Sequence, residues 1–228
     1  MALNIKTFKT RALTALLFVI VMLAGLLWNF WSFLILFSVI HFGAWYEFVK
    51  LMKKIYAEKY LGYCFLGLIY ITMPVLMLIE LRRYGMVYKG DLLFADFGYI
   101  IPCGIIFSIW INDTMAYLVG SLIGKTPLSK ISPKKTIEGT LGGIILCVIA
   151  IGLLGNYVTS NSSANWFIIA FLCAIFGTLG DLLESKIKRM ADVKDSGSFM
   201  PGHGGFLDRF DSLLVAVPFV WLYIHLFV

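Results

Sequence analysis

Charge is scarce in this chain. Only 14% of its 228 residues are Asp, Glu, Lys or Arg, against about 25% in an ordinary soluble domain, and 60% are apolar. That shortage excludes a water-soluble globule. Long polar stretches are lacking too, so there is no room for a separate soluble domain beside the apolar segments. The four cysteines, Cys64, Cys103, Cys147 and Cys173, stand singly in apolar surroundings, with no close pair and no histidine at metal-ligand spacing. This excludes a disulfide framework and a Cys/His zinc centre, and leaves them as packing or lipid-facing residues. No repeat of fixed period and no low-complexity tract is present. The first apolar stretch runs into a second without a small-residue cleavage site, so it reads as a retained span rather than a removed signal.

What is present is a series of apolar segments. A helix needs about 20 apolar residues to cross the hydrocarbon core. Seven segments qualify: Ala12 to Trp28, Phe30 to Val49, Tyr60 to Ile79, Leu92 to Ile123, Leu141 to Val158, Trp166 to Leu183 and Leu213 to Val228. The fourth is too long for one perpendicular crossing and contains Pro102, which predicts a tilt, a kink or an extension into water. The expected fold is an all-α integral membrane protein of about seven transmembrane helices, with six to eight allowed. It forms one membrane domain overall, with N-terminal helices over 1–110 and a chemistry-bearing region over 111–228 that holds two loops, 124–139 and 186–209.

The net charge of +6 matters less than its distribution. With the N-terminus inside, 16 of the 19 basic residues fall on cytoplasmic segments, and Arg82, Arg83 and Lys89 are the exceptions. This positive-inside pattern predicts a cytoplasmic N-terminus and a C-terminus on the far side. It points to a membrane surface, with no nucleic-acid partner.

The polar chemistry is concentrated in GDLLESKIKRMADVKDSGSFMPGHGGFLDRFD, Gly180 to Asp211. On a helix Asp181, Glu184, Ser185 and Lys188 share one face, at i, i+3, i+4 and i+7. Asp208 and Asp211 repeat the i, i+3 spacing where the last apolar segment begins. Acidic pairs converging from two helices would repel one another in a partly desolvated site unless cations lay between them, and hard oxygen ligands favour Mg²⁺. The competing reading is an interfacial salt-bridge belt with Lys186, Lys188, Arg189 and Arg209. Between the helices, Gly197, Pro201, Gly202, Gly204 and Gly205 surround His203 in a loop that either offers amides to phosphate oxygens or merely connects two helices. His203 alone could be a structural hydrogen-bonding group or a catalyst.

A second cluster is KISPKKTIEG, Lys130 to Gly139, preceded by Asn112 and Asp113. Lys134 and Lys135 can hold a triphosphate, Ser132 and Thr136 can add hydroxyl donors, and Gly139 lets the following helix approach closely. A basic loop of this composition is also an ordinary contact for anionic lipid. His41, His225 and Glu47, isolated in or beside apolar segments, read as structural.

These residues match a known pattern. The run S-x-x-K-R, four residues, K-D-x-G, then H-G-G-x-x-D-R-x-D is carried by Ser185, Lys188, Arg189, Lys194, Asp195, Gly197, His203, Gly204, Gly205, Asp208, Arg209 and Asp211. Together with N-D-T at Asn112 to Thr114 and S-P-K-K-T-x-E-G at Ser132 to Gly139, it resembles the phosphatidate cytidylyltransferases, or CDP-diglyceride synthetases. The resemblance runs from about Asn112 onward. Met115 departs from the small residue usual after N-D-T, and the chain is short for the family.

The resemblance implies transfer of CMP from CTP to phosphatidic acid at the inner membrane interface, giving CDP-diacylglycerol and pyrophosphate. It implies Mg²⁺, with K⁺ as an optional companion, held by Asp181, Asp208, Asp211 and Glu184. It assigns catalytic roles to Asp181, Asp208, Lys188, Lys194, Asp195, His203 and Arg209. Substrate binding falls to Lys134, Lys135, Thr136, Ser132, Asn112, Asp113, Ser185, Arg189, Gly204 and Gly205. The implied setting is a membrane, the cell membrane in the case of a bacterial source, with the site facing the cytoplasm and a homodimer allowed. Two rivals lack support in the residues. A CDP-alcohol phosphotransferase would need a D-G and A-R run, and an ion-coupled transporter would show repeat symmetry.

Overall fold

The computed structural model describes residues 5–87, 98–159, 165–199 and 204–228, and among these it is helical, with no strand. The helices are α1 (Ile5–Leu27), α2 (Phe30–Tyr56), α3 (Tyr60–Cys64), α4 (Met73–Val87), α5 (Ile100–Ile123), α6 (Ile137–Thr159), α7 (Trp166–Met190) and α8 (Leu207–Phe227). A 3₁₀ turn, Ala57–Lys59, precedes α3, and a π turn, Leu68–Thr72, precedes α4. Five helical stretches are long and apolar enough to cross a membrane: Phe30–Cys64, Ile100–Ile123, Ile137–Thr159, Trp166–Met190 and Leu207–Phe227. Ala12–Leu27 is a shorter apolar helix. Large apolar side chains such as Leu122, Tyr157 and Trp31 stand exposed on these helices, as lipid-facing residues would.

The chain forms two compact units. The first comprises Met1–Thr72 and Ile187–Phe210, the second Met73–Lys186 and Asp211–Val228.

In the first unit, α2 is the organising helix. Asn29 and Ser32 start it with a reciprocal capping box, in which the Ser32 amide donates to Asn29 Oδ1 at 2.8 Å and the Asn29 amide to Ser32 Oγ at 3.1 Å. Its buried stripe runs through Phe33, Phe37, Ile40, Ala44, Glu47 and Leu51 at helical spacing. A carboxylate therefore sits in line with the core. The last turn of α7 also belongs to this unit. It closes with the Val193 amide on the Lys188 carbonyl at 3.0 Å and the Asp192 amide on that of Arg189 at 3.1 Å. Asp192 sits at φ 51°, in the left-handed position that ends such a turn.

In the second unit, α5 and α6 approach closely. A Cβ on Gly139 would come within 2.6 Å of the Ala116 carbonyl oxygen and within 2.8 Å of Gly120 Cα, so the small-residue contact that sequence predicts is present. Pro102 lies in the first turn of α5, where its missing N–H costs no helical bond, and Tyr99 precedes the helix. Phe176 of α7 stacks on Phe219 of α8, with centroids 3.4 Å apart.

Segment boundaries differ from the hydropathy reading in an instructive way. The third apolar segment, Tyr60 to Ile79, is three helical pieces with different hydrogen-bond registers. Hydropathy reports burial or lipid contact and is blind to a change of register. Conversely, α7 continues seven residues past Leu183 and α6 begins four before Leu141, because amphipathic turns at a membrane boundary stay helical after their composition turns polar. The connection between α5 and α6 is accordingly shorter than expected, Gly124 to Thr136. The start of the fourth segment, Leu92 to Phe97, lies outside the described residues.

Candidate functional site

Among the described residues, a lysine–aspartate pair built from residues singled out by sequence stands in each unit.

In the second unit, Lys135 at the end of the α5–α6 loop is ion-paired with Asp181 of α7, 46 positions away. The loop is shaped to present it. The Leu128 amide donates to the Lys135 carbonyl at 2.7 Å and the Ile137 amide to the Thr126 carbonyl at 2.9 Å, so the loop folds back on itself. Glu138 ties the base of the loop, accepting the Lys125 amide at 3.1 Å, the Thr126 amide at 3.1 Å and the Thr126 hydroxyl at 2.8 Å. Thr136 Oγ1 accepts the Gly139 amide at 3.1 Å and caps α6. On the other side of the pair, Ser185 donates to Asp181 Oδ1 at 3.3 Å.

Asp211 belongs to the same unit. It is 8% exposed, and Asp181, Asp113 and Lys135 all act on it electrostatically. The Asp211 carboxyl thus lies in the field of two further acids and of the Lys135 ammonium, a crowding of like charge that a cation would relieve. Among the described residues no three His, Cys, Asp or Glu side chains gather closely enough to enclose an ion by themselves. Asn112 is buried and reaches Thr178 Oγ1 and Asp113 Oδ1 at 3.5 Å each. Glu184 is 1% exposed, inside the unit.

In the first unit, Lys188 donates to Asp208 Oδ1 at 2.6 Å. The other carboxylate oxygen of Asp208 accepts the Ser196 amide at 2.9 Å, the Ser196 hydroxyl at 2.9 Å and the Gly205 amide at 2.7 Å. Gly204 adopts φ 83°, and a Cβ there would lie 3.0 Å from Asp208 Cγ. Only glycine meets both conditions cheaply. The predicted Lys188, Asp208, Gly204 and Gly205 therefore converge. Lys194, Asp195, Arg189 and Arg209 lie exposed at the surface of this unit, as Lys134 and Asp113 do in the second. His203 lies outside the described residues.

Sequence reasoning missed two members of the first cluster. Ser196 was skipped as the variable position of K-D-x-G, and Glu47 was read as structural. Glu47 is buried, and its carboxylate accepts from Ser196 Oγ at 2.7 Å, the Phe206 amide at 3.0 Å and the Leu207 amide at 2.9 Å. The signal available was its place in the buried stripe of α2, where an uncompensated charge would be costly.

Comparison with known proteins gives a consistent picture. The sequence model of the Cytidylyltransferase family matches residues 92–227. The chain is 37% identical over 185 residues to a phosphatidate cytidylyltransferase of Bacillus subtilis (strain 168), covering 79% of this chain and 64% of the relative. It is 37% identical over 175 residues to the one of Staphylococcus saprophyticus, covering 75% and 62%. Against that of Staphylococcus aureus (strain COL) the identity is 35% over 175 residues, again covering 75% and 62%. The chain thus spans a little under two thirds of the length of these relatives.

Proposed function

This chain belongs to the cytidylyltransferase family, and on that footing we propose that it transfers CMP from CTP to phosphatidic acid, yielding CDP-diacylglycerol and pyrophosphate for phospholipid synthesis. The supporting observation is the ion pair between Lys135 of the S-P-K-K-T element and Asp181, one helical turn before the second signature begins at Ser185. Two motifs distant in sequence meet at the end of an apolar helix, and the side chains that meet carry the charges a triphosphate and its cation require.

In the reaction a phosphatidate phosphate oxygen attacks the α-phosphorus of CTP. The new P–O bond forms as the bond to the β-phosphate oxygen breaks, and pyrophosphate leaves with the bonding pair. The attacking phosphate is already ionised near neutral pH, so no strong general base is required. The protein's task is to gather two anionic reactants and align them. Lys135 and the exposed Lys134 are assigned to the CTP phosphates, with Ser132 and Thr136 as hydroxyl donors. Lys188, Arg189, Lys194 and Arg209 are assigned to phosphate charge, and His203 and Asp195 to the same centre. Mg²⁺, with K⁺ as companion, would be held by Asp181 and Asp211 of the second unit and would supply neutralisation of the developing pyrophosphate charge.

The reading includes an orientation. We assign the N-terminus and the loops holding Lys134 and Lys194 to the cytoplasm, with about seven crossings, from the bias of 16 of 19 basic residues. Single cysteines at Ser162 and Ser198 should then react with an impermeant thiol reagent from opposite faces of oriented vesicles. Labelling from the same face would overturn the orientation.

The decisive assay uses purified protein in detergent with CTP labelled either at the α- or the γ-phosphate. Label from the α-position should enter lipid, and pyrophosphate should appear only when phosphatidic acid is also present. Entry of the γ-label instead would identify a lipid kinase and end the cytidylyl-transfer reading.

A further inference from the structure

The signature glycines Gly197 and Gly205 border a residue the signature does not contain. A Cβ on Gly197 would lie 2.7 Å from Glu47 Cδ, and one on Gly205 2.5 Å from it. Both glycines therefore leave space that the Glu47 carboxylate occupies. One turn earlier on α2, Gly43 leaves space for the ring of Phe206, since a Cβ there would lie 2.7 Å from Phe206 Cγ. Positions 43 and 47 of one helix face thus receive both the ring and the amide of Phe206.

The carboxylate's partners are specific. Leu207 is the first residue of α8 and Phe206 the cap residue before it, so the helix cannot satisfy their amides by itself. Glu47 accepts both, one on each oxygen, and its negative charge suits the positive end of α8. The third partner, Ser196 Oγ, lies 2.7 Å from Glu47 Oε2 and 2.9 Å from Asp208 Oδ2. Asp208 in turn holds Lys188. The four side chains form a continuous polar path through an otherwise apolar core. Packing alone would place an aliphatic residue at position 47.

We infer that Glu47 is a positioning residue for the transfer centre: through Ser196 and the Phe206 and Leu207 amides at the start of α8, its carboxylate sets the Asp208 carboxylate and the lysine that Asp208 holds. Its effect on rate rests on the proposed CMP transfer, whereas its effect on the loop does not.

The test uses the full chain in detergent and two readouts. Hydrogen exchange of the Ser196–Leu207 amides reports positioning directly, and kcat and KM for CTP report its consequence. In Glu47→Gln an amide N–H₂ replaces one of the accepting oxygens. Exchange across the segment should quicken and kcat should fall about 10- to 100-fold, the usual cost of losing such a supporting contact. KM for CTP should stay near the wild-type value, because the phosphate-binding lysines are intact. Glu47→Asp should recover part of both readouts, and Glu47→Gln combined with Ser196→Ala should cost less than the sum of the two.

A second pair of variants separates positioning from space filling. Gly205→Ala should destabilise the protein by collision with Glu47, and adding Glu47→Ala should restore folding without restoring kcat. Wild-type kcat in that double variant, or unchanged amide exchange in Glu47→Gln, would overturn the inference. If the wild-type protein transfers no CMP while Glu47→Gln still quickens exchange, the functional reading falls and the positioning of Asp208 by Glu47 stands.

Discussion

Lys188 and Asp208 are 15% and 6% exposed, whereas Lys135 and Asp181 are 30% and 27% exposed. The first pair is embedded in a network: Asp208 also accepts two backbone amides and a hydroxyl. The second is held by side chains, with Ser185 as the further donor to Asp181. Identical residue types have been placed in one setting that fixes them and another that leaves them room to exchange partners. A carboxylate bonded to backbone amides shapes the segment that carries it. One bonded to a lysine on a loop can release that lysine when a ligand brings its own charge. The difference predicts that the two aspartates, though both assigned to the same chemistry, respond differently to substitution.

The largest effect belongs to Asp208→Ala. It strips a largely buried lysine of one partner and two amides of their acceptor, and breaking a pair of this kind from one side costs up to about 3–5 kcal/mol. Thermal unfolding in detergent should show a Tm many degrees lower, with CMP transfer lost. A folded Asp208→Ala protein with the wild-type Tm would mean that the network around Asp208 is dispensable.

Asp181→Asn should separate activity from stability. An ion pair this exposed contributes about 0–1 kcal/mol, so Tm should barely move. Transfer should nonetheless drop by about 10² or more, as expected when a group stabilising transition-state charge is removed. Comparable losses of Tm in Asp181→Asn and Asp208→Ala would erase the distinction between the two settings.

Between the lysines of the loop the expected contrast is smaller. Lys135→Ala loses the partner of Asp181 and should lower kcat as well as raise KM for CTP. Lys134→Ala should raise KM alone, by about tenfold or less, the scale of one charge-assisted contact. Unchanged CTP kinetics with weaker vesicle binding would reassign Lys134 to anionic lipid.

How much of this was legible beforehand depended on sequence distance. Lys188, Gly204, Gly205 and Asp208 lie within one short run, and their convergence follows once α7 and α8 are placed. Lys135 and Asp181 are 46 positions apart, yet each stood out as a charge beside an apolar helix. Glu47 was different. Its partners lie 149 to 160 positions away, and a lone acid near the end of an apolar segment resembles an interfacial anchor. Only its phase on α2, in register with Phe33, Phe37, Ile40 and Ala44, distinguishes a packed carboxylate from a solvated one. The division of Tyr60 to Ile79 into three pieces was invisible for another reason: hydropathy does not encode hydrogen-bond register.

The smallest effect tests whether the open setting extends to the loop hydroxyls. Thr136 Oγ1 accepts the Gly139 amide and so caps α6, which leaves its own proton available to a phosphate oxygen. Thr136→Ala should cost about 1 kcal/mol for the lost cap, and Thr136→Ser should retain it, since serine caps as well as threonine does. If the hydroxyl only caps, KM for CTP will follow stability and little else, because the lysines beside it remain. If it also donates to the nucleotide, KM should rise in Thr136→Ala beyond what a Glu138→Gln variant of similar Tm produces, and Thr136→Ser should return it to the wild-type value. Equal KM in the alanine variant and the wild type, at temperatures well below either Tm, would remove Thr136 from the substrate-binding set and leave Ser132, Lys134 and Lys135 as the loop's contribution to nucleotide affinity.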